Sequence, residues 1–340
     1  MNNFTYARPT TVAEAIEARS QRAGAIYIAG GTNLIDLMKE DVTRPAHLID
    51  INQLPLTSIE TLPNGGLRLG ALAPNADTAW HPEVKKRYPI LSQAMLSAAS
   101  AQLRNMATNG GNLLQRTRCY YFYDVATPCN KRQPGSGCSA INGFNRIHAI
   151  LGTSDQCIAT HPSDMCVALA CLDATVCVQG LSGERRIPMV DFHRLPEDEP
   201  EQDNVLQPEE LITAIELPVQ GFERNYCYLK IRDRASYAFA LVSVAAALDL
   251  KGDIIQDARL ALGGVAHKPW RDEEVEALMI GEPATEETFL AAARKITESA
   301  RGYGDNDFKI ELTRRGIVRA FMQALKAPAS ASDVYKTPVL

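Results

Sequence analysis

Apolar positions along the first fifty residues switch between a helical and a strand period. Thr11-Val-Ala-Glu14 is a capping-box pattern, and Val12, Ala15, Ile16 and Arg19 follow it at helical spacing. Ala25-Ile-Tyr-Ile-Ala29 is a short apolar run ending in Gly30-Gly31, which predicts a strand and a tight turn. A second helix is expected from Leu34, Ile35, Leu37 and Met38, and another strand from His47-Leu-Ile-Asp-Ile51. This β-α-β-α-β succession supports an α/β class.

The pattern changes beyond residue 60. Gly66-Leu-Arg-Leu-Gly-Ala71 reads as a strand and residues 90–106 as one helix, whereas 115–150 is polar, rich in Gly and Pro, and without either period. Short strands recur at 174–179, 185–187 and 210–217, with an acidic surface loop at 195–208 and a solvated run at 197–201. Past Gly221 the chain restarts with strands at 226–231 and 241–250, then helices at 273–279, 286–300 and 310–325. The expected division is a first domain at 1–221, in lobes of about 1–57 and 58–221 with an insertion at about 115–158. An α+β domain at 222–326 follows, with a tail at 327–340 that is flexible or lies on a partner.

Composition narrows the classes. At 340 residues, 46% hydrophobic and 22% charged, the chain is long enough for two buried cores, and it shows no internal repeat. No apolar run approaches the roughly 20 residues that span a bilayer, so no membrane insertion is expected. A net charge of -5 without a basic tract argues against nucleic acid. The start lacks both an apolar signal core and a twin-arginine pair.

Two glycine pairs carry candidate chemistry. Ala29-Gly30-Gly31-Thr32-Asn33-Leu34 lies between a strand and a helix, where successive backbone N–H groups and the Thr and Asn side chains can cradle a diphosphate. Thr108-Asn109-Gly110-Gly111-Asn112-Leu113 repeats that chemistry, and two such loops suit one long dinucleotide. Neither segment is a Rossmann fingerprint or a P-loop.

Of eight cysteines, Cys166, Cys171, Cys177 and Cys227 sit in apolar surroundings and read as core. Cys119, Cys129, Cys138 and Cys157 lie in the polar stretch as C-x9-C-x8-C-x18-C. Four thiolates suit a [4Fe–4S] cubane or zinc, and free or disulfide-bonded thiols are the remaining alternative; the absence of a C-x2-C pair leans toward the cluster. The six histidines show no ligand spacing and read as structural or surface residues, and His161, Ser163 and Asp164 stand too close in sequence for a hydrolase triad.

Ala-Gly-Gly-Thr-Asn-Leu, Arg104-Asn-Met-Ala-Thr-Asn-Gly-Gly-Asn112 and Ser163-Asp164, taken in order, resemble the FAD-binding subunit of molybdenum hydroxylases, the family of carbon monoxide and xanthine dehydrogenases. The likeness covers almost the whole chain. It implies a two-lobed FAD-binding fold of the vanillyl-oxidase/PCMH type plus a smaller α+β C-terminal domain. It also implies FAD contacts at Ile26, Tyr27, Ile28, Ala29, Gly30, Gly31, Thr32, Asn33, Leu34, Thr108, Gly111 and Asn112. Asp164 would hold ribityl or ribose hydroxyls, Ile212 would pack on the flavin side, and Lys230 would stand near the flavin ring. The cysteine insertion is similar to those in the flavin subunits of 4-hydroxybenzoyl-CoA reductase and of enterobacterial periplasmic aldehyde oxidoreductases.

The implied role is electron relay in an aldehyde-oxidising complex. A molybdenum-cofactor-binding large subunit oxidises the substrate, a [2Fe–2S] small subunit passes electrons to the FAD, and an external acceptor takes them. A periplasmic location, reached folded on a partner's signal, follows from the likeness; the cytoplasm is the alternative. The contrasting reading is a self-contained FAD-dependent oxidase or reductase with its own small substrate.

Overall fold

The computed structural model describes residues 1–326, and the expected tail at 327–340 lies outside them. Strands β1 (Thr5–Ala7), β2 (Ala25–Ile28) and β3 (His47–Asp50) form a parallel sheet in the order β1-β3-β2. The helix Val12–Ser20 begins where the capping box foretold: Thr11 Oγ1 accepts from the Glu14 N–H and Glu14 Oε2 from the Thr11 N–H, both at 3.2 Å. Ala15 and Ile16 from this helix pack on Ala25 and Ile49 of the sheet.

Five antiparallel strands make the second sheet, with β4 (Ile59–Thr61), β5 (Leu67–Gly70), β6 (Thr175–Gly180), β7 (Gly183–Pro188) and β8 (Leu211–Leu217) in the order β4-β5-β8-β6-β7. All seven residues of the central β8 are buried. Its polar members are paired: Glu216 accepts from Arg68 and Arg186, and the Thr213 hydroxyl donates to the Cys177 carbonyl. Helices Pro89–Ser97 and Asp164–Cys171 contribute to the core that covers this sheet.

The helix expected over 90–106 is broken. Ala99 takes a left-handed φ of 48°, and Ser100 caps a new helix, Ala101–Met106, by accepting from the Leu103 N–H. The break frees two carbonyls. Ser97 O accepts from Lys230 Nζ at 3.3 Å and from Arg232 at 2.9 Å, and Ala98 O from Arg104 at 2.6 Å.

The C-terminal region is an antiparallel sheet of β9 (Tyr226–Ile231), β10 (Val242–Lys251), β11 (Ile254–Gly263) and β12 (Trp270–Arg271), in the order β12-β11-β10-β9. Helices Glu286–Ile296 and Phe308–Ala324 pack against it, with Phe289 and Phe321 stacked at 4.7 Å. Ala245, Ala247 and Ala261 instead join the core around helix Asp164–Cys171. Small residues are needed on that side, because a Cβ on Gly263 would run into Val167 of the helix. The approach carries β9 up to the helix N-terminus at Asp164. No described helix is long and apolar enough to cross a membrane.

Candidate functional site

The end of β2 turns through Gly30 and Gly31, the latter at φ +71°. A Cβ on Gly30 would collide with the Met106 carbonyl, so only glycine lets this loop press against the end of helix Ala101–Met106. Among the described residues, the N–H groups of Gly30, Gly31, Thr32 and Asn33 donate to no protein acceptor. Asn33 Oδ1 accepts from the Arg116 N–H at 2.9 Å, while its buried Nδ2 has no partner. Four backbone donors and an unpaired side-chain amide give this turn the donor set of an anion nest.

The second glycine loop works differently from the expected repeat. Residues Asn109–Leu113 are a short helix capped by Thr108, whose Oγ1 accepts from the Gly111 N–H at 3.3 Å. The N–H groups of Asn109, Gly110 and Asn112 go to the Ala73, Ala71 and Thr108 carbonyls. Asn109 is fully buried, bonded to Asn75, Thr78 and the Gly70 carbonyl. Asn112 joins Asn75, Gln115 and Ser163. This loop spends its polar groups on the fold and offers a ligand a small surface: a Cβ on Gly111 would sit 3.0 Å from Thr108 Oγ1.

Two cavities meet at these loops. The narrower, about 290 Å3, is lined by Ile26, Tyr27, Ile28, Ala29, Gly30, Gly31, Thr32, Asn33 and Leu34, with Thr108, Gly111 and Ile212 opposite. The wider, about 690 Å3, is lined by Asn112, Asp164 and Lys230. Thr32, Ala107 and Gly111 line both, so the two adjoin there as the arms of one channel, with Gly30, Gly31 and Asn33 on the narrow-arm side. Ile212 and Lys230 therefore occupy opposite arms, and Ile212 does not share the wall that Lys230 provides. Its position on β8, 3.6 Å from where a Gly110 Cβ would stand, fixes it in the narrow arm.

Charge is concentrated in the wide arm. Lys230 Nζ and Tyr228 OH both donate to Asp164, each at 2.7 Å, and the Asp164 and Lys230 side chains are 5% and 4% exposed. Burial and the Asp164 charge hold the Tyr228 phenol well above its ordinary pKa. Arg104 and Arg118 line the same arm, and neither was identifiable as a site residue from sequence. Arg118 donates to Asp36 and Tyr123, and its guanidinium lies 5.1 Å from the Phe239 ring.

Cys119, Cys129, Cys138 and Cys157 are gathered around a third pocket. Cys129 and Cys138 face each other across an isolated antiparallel bridge. A hydrogen bond between Cys138 and Cys157 holds the Cys138 thiol below its usual pKa and Cys157 above, and burial pushes Cys119 up to about 12. The pocket is tied shut by cations. Arg132 donates to the Tyr121, Phe122 and Thr127 carbonyls. Lys131, 3% exposed, reaches Asp203 Oδ1 at 2.5 Å, and Arg116 reaches Asp203 Oδ2 at 2.6 Å. Burial opposes ionisation of Asp203, but these two cations hold its carboxyl far below the carboxylate range. The acidic loop is thus exposed at residues 197–199 yet anchored at Asp203.

One segment walls all three spaces. Leu114 and Arg116 line the narrow arm, Gln115 and Arg118 the wide arm, and Thr117 and Cys119 the cysteine pocket. The histidines, scattered in sequence, are also partly gathered: ligand atoms of His161, Cys166 and His193 lie within 4.8 Å of one another, all buried. Both imidazoles direct Nε2 at the Leu113 carbonyl, and burial pushes His193 down to about 4, so this trio is neutral core.

Residues 2–220 match the family model described as the FAD binding domain in molybdopterin dehydrogenase, and 227–324 that of the CO dehydrogenase flavoprotein C-terminal domain. The chain belongs to the FAD-binding subunits of the xanthine and carbon monoxide dehydrogenase family. It is 50% identical to the aldehyde oxidoreductase FAD-binding subunit PaoB of Escherichia coli, over 95% of this chain and 99% of that one. It is 30% identical to the glyceraldehyde dehydrogenase medium chain of Sulfolobus acidocaldarius, over 96% and 98%. The solved carbon monoxide dehydrogenase of Hydrogenophaga pseudoflava shares the fold, with a TM-score of 0.75 at 24% identity over 96% of this chain and 98% of that one.

Membership in this family makes FAD the cofactor to test against the channel, and the residues fit it. The unpaired N–H groups of residues 30–33 and Asn33 Nδ2 answer a diphosphate, the narrow arm is largely apolar, and the wide arm offers carboxylate, ammonium and guanidinium groups to a polar ring and to sugar-chain hydroxyls.

Proposed function

We propose that this chain is the electron-transfer flavoprotein subunit of a molybdenum-dependent aldehyde oxidoreductase. The observation that carries the reading is the two-armed channel with unpaired donors along its narrow arm, on a chain half identical to an aldehyde oxidoreductase FAD subunit. The Gly30-Gly31-Thr32-Asn33 turn would hold the diphosphate, with Thr108 and Gly111 closing the other side. Ile26, Tyr27, Ile28, Ala29, Leu34 and Ile212 would pack on the narrow-arm end, and Asn112, Asp164 and Lys230 would meet the wide-arm end. When bound, FAD supplies the capacity to take electrons singly and release them singly or in pairs. Asp164 would accept from cofactor hydroxyls, and Lys230 would oppose negative charge on the ring. Partners would be a molybdenum-cofactor-binding large subunit and a [2Fe–2S] small subunit, with an external acceptor, in the periplasm on a partner's signal. The functional division is 1–221 for the flavin and 222–326 for the C-terminal domain.

Cys119, Cys129, Cys138 and Cys157 would ligate a [4Fe–4S] cluster. A single zinc needs its four sulfurs about 3.8 Å apart, given Zn–S bonds near 2.3 Å. Among the described residues, no three of the four thiols lie within 4.8 Å of one another, although Cys138 and Cys157 are close enough to hydrogen-bond, so the set is not the compact tetrahedron of a zinc site.

Anaerobic addition of an aldehyde to the complex assembled with both partners should bleach the flavin absorbance, and the isolated chain should not respond. Bleaching of the isolated chain would instead favour the self-contained flavoenzyme.

A further inference from the structure

His148 is none of the four cysteines' sequence neighbours, yet its Nε2 stands 3.1 Å from Cys119 Sγ. The residue is 1% exposed. It is held from the C-terminal region: Lys309 Nζ, itself fully buried, donates to the His148 carbonyl at 2.8 Å, and Asn306 Nδ2 to the same oxygen at 3.3 Å. Its own N–H donates to the Asn145 carbonyl at 2.9 Å. The imidazole packs near the rings of Tyr120 and Tyr121, with centroids 6.5 and 6.4 Å away. Nδ1 is buried without a partner. Only the tautomer with its proton on Nε2 gives the ring's N–H an acceptor, and that acceptor is sulfur.

We propose that His148 is the positioning residue of the cysteine site, donating Nε2–H to the Cys119 sulfur and thereby raising the reduction potential of the cluster that this cysteine helps to hold. The inference rests on the [4Fe–4S] reading above. A ligating thiolate keeps lone pairs that accept hydrogen bonds, and such a bond strengthens as reduction puts more negative charge on the sulfur, so it favours the reduced state. The clamp by Lys309 and Asn306 keeps the donor in place, which a surface loop alone would not.

The test is an EPR-monitored redox titration of the assembled complex, with the flavin followed in the same samples as an internal reference. His148→Phe keeps a ring and removes the N–H; His148→Gln restores a donor. The expected result is a more negative cluster midpoint in His148→Phe at unchanged iron and sulfide, partial recovery in His148→Gln, and an unmoved flavin. An unchanged midpoint in His148→Phe with its iron retained overturns the proposal. Should that variant lose its iron, the wild-type complex decides: with ring-15N histidine, pulsed EPR of the reduced cluster should show a weak nitrogen coupling transmitted through a hydrogen bond. No coupling, or the large coupling of a direct nitrogen ligand, overturns it. A wild-type protein that binds no iron fails the cluster reading itself, a result distinct from a failure of His148.

Discussion

In the two-armed channel, the ligand-facing turn is slung between β2 and the end of a helix, and its donors are left open. In the cysteine pocket, the chain between Arg116 and Ile158 has one short helix, Tyr120–Tyr123, and its donors are already consumed in cross-ties from Arg132, Lys131 and Asn130. The channel takes its shape from sheet and helix packing that persists without a ligand. The pocket is a loop structure, and a metal centre would supply much of its cohesion. The segment from Leu114 to Cys119 joins the two, so the comparison can be broken from either side.

The largest separation is expected from Cys119→Ser. Iron and sulfide should fall from about four per chain to near zero, while FAD content is kept. Loss of flavin along with iron would show that the pocket shapes the channel. Gly30→Ala should do the reverse. Its methyl meets the Met106 carbonyl, so FAD affinity should fall at least tenfold, about 1.4 kcal/mol, with iron retained. Equilibrium dialysis against FAD and an iron assay on the same preparation measure both.

Asp203→Asn leaves Lys131 buried without its counter-charge. A cost of about 3 kcal/mol is expected, the low end for a buried pair because Asp203 stays partly exposed. The folded pKa of Asp203 is depressed, so its contribution is present above the unfolded value of about 3.9 and is lost as pH falls through the lower folded value. Limited proteolysis in the 195–208 loop should therefore rise below about pH 4 in the wild type. In Asp203→Asn it should already be high at neutral pH. The smallest effect serves as a control: Thr11→Ala removes a capping-box bond, costs about 1 kcal/mol by thermal melting, and leaves flavin and iron alone.

Local signals were legible in the sequence and long-range ones were not. The capping box at Thr11, the Gly30-Gly31 turn and the strand expected at 210–217, which runs from Leu211 to Leu217, depend on nearest neighbours, and the chain shows them. The alike spelling of the two glycine loops concealed unlike roles, because the Asn109 and Asn112 side chains find partners more than thirty residues away in sequence. The helix break at Ala99 owes its use to Arg232 and Lys230 on a distant sheet. β11 carries Gln256, Asp257 and Arg259, which mask its alternation; only Gln256 is exposed, while Asp257 and Arg259 are half-buried and ion-paired with each other. Cysteine spacing singled out the four thiols, but nothing in it pointed to His148 or to the anchoring of Asp203.

The most direct measurement is an absorption spectrum of anaerobically purified protein, with FAD, iron, zinc and acid-labile sulfide quantified on the same sample. The account predicts flavin bands with one FAD, about four irons and four sulfides per chain. Flavin accompanied by zinc, or by no metal, would contradict the cysteine assignment, and absence of flavin after reconstitution with FAD would contradict the channel.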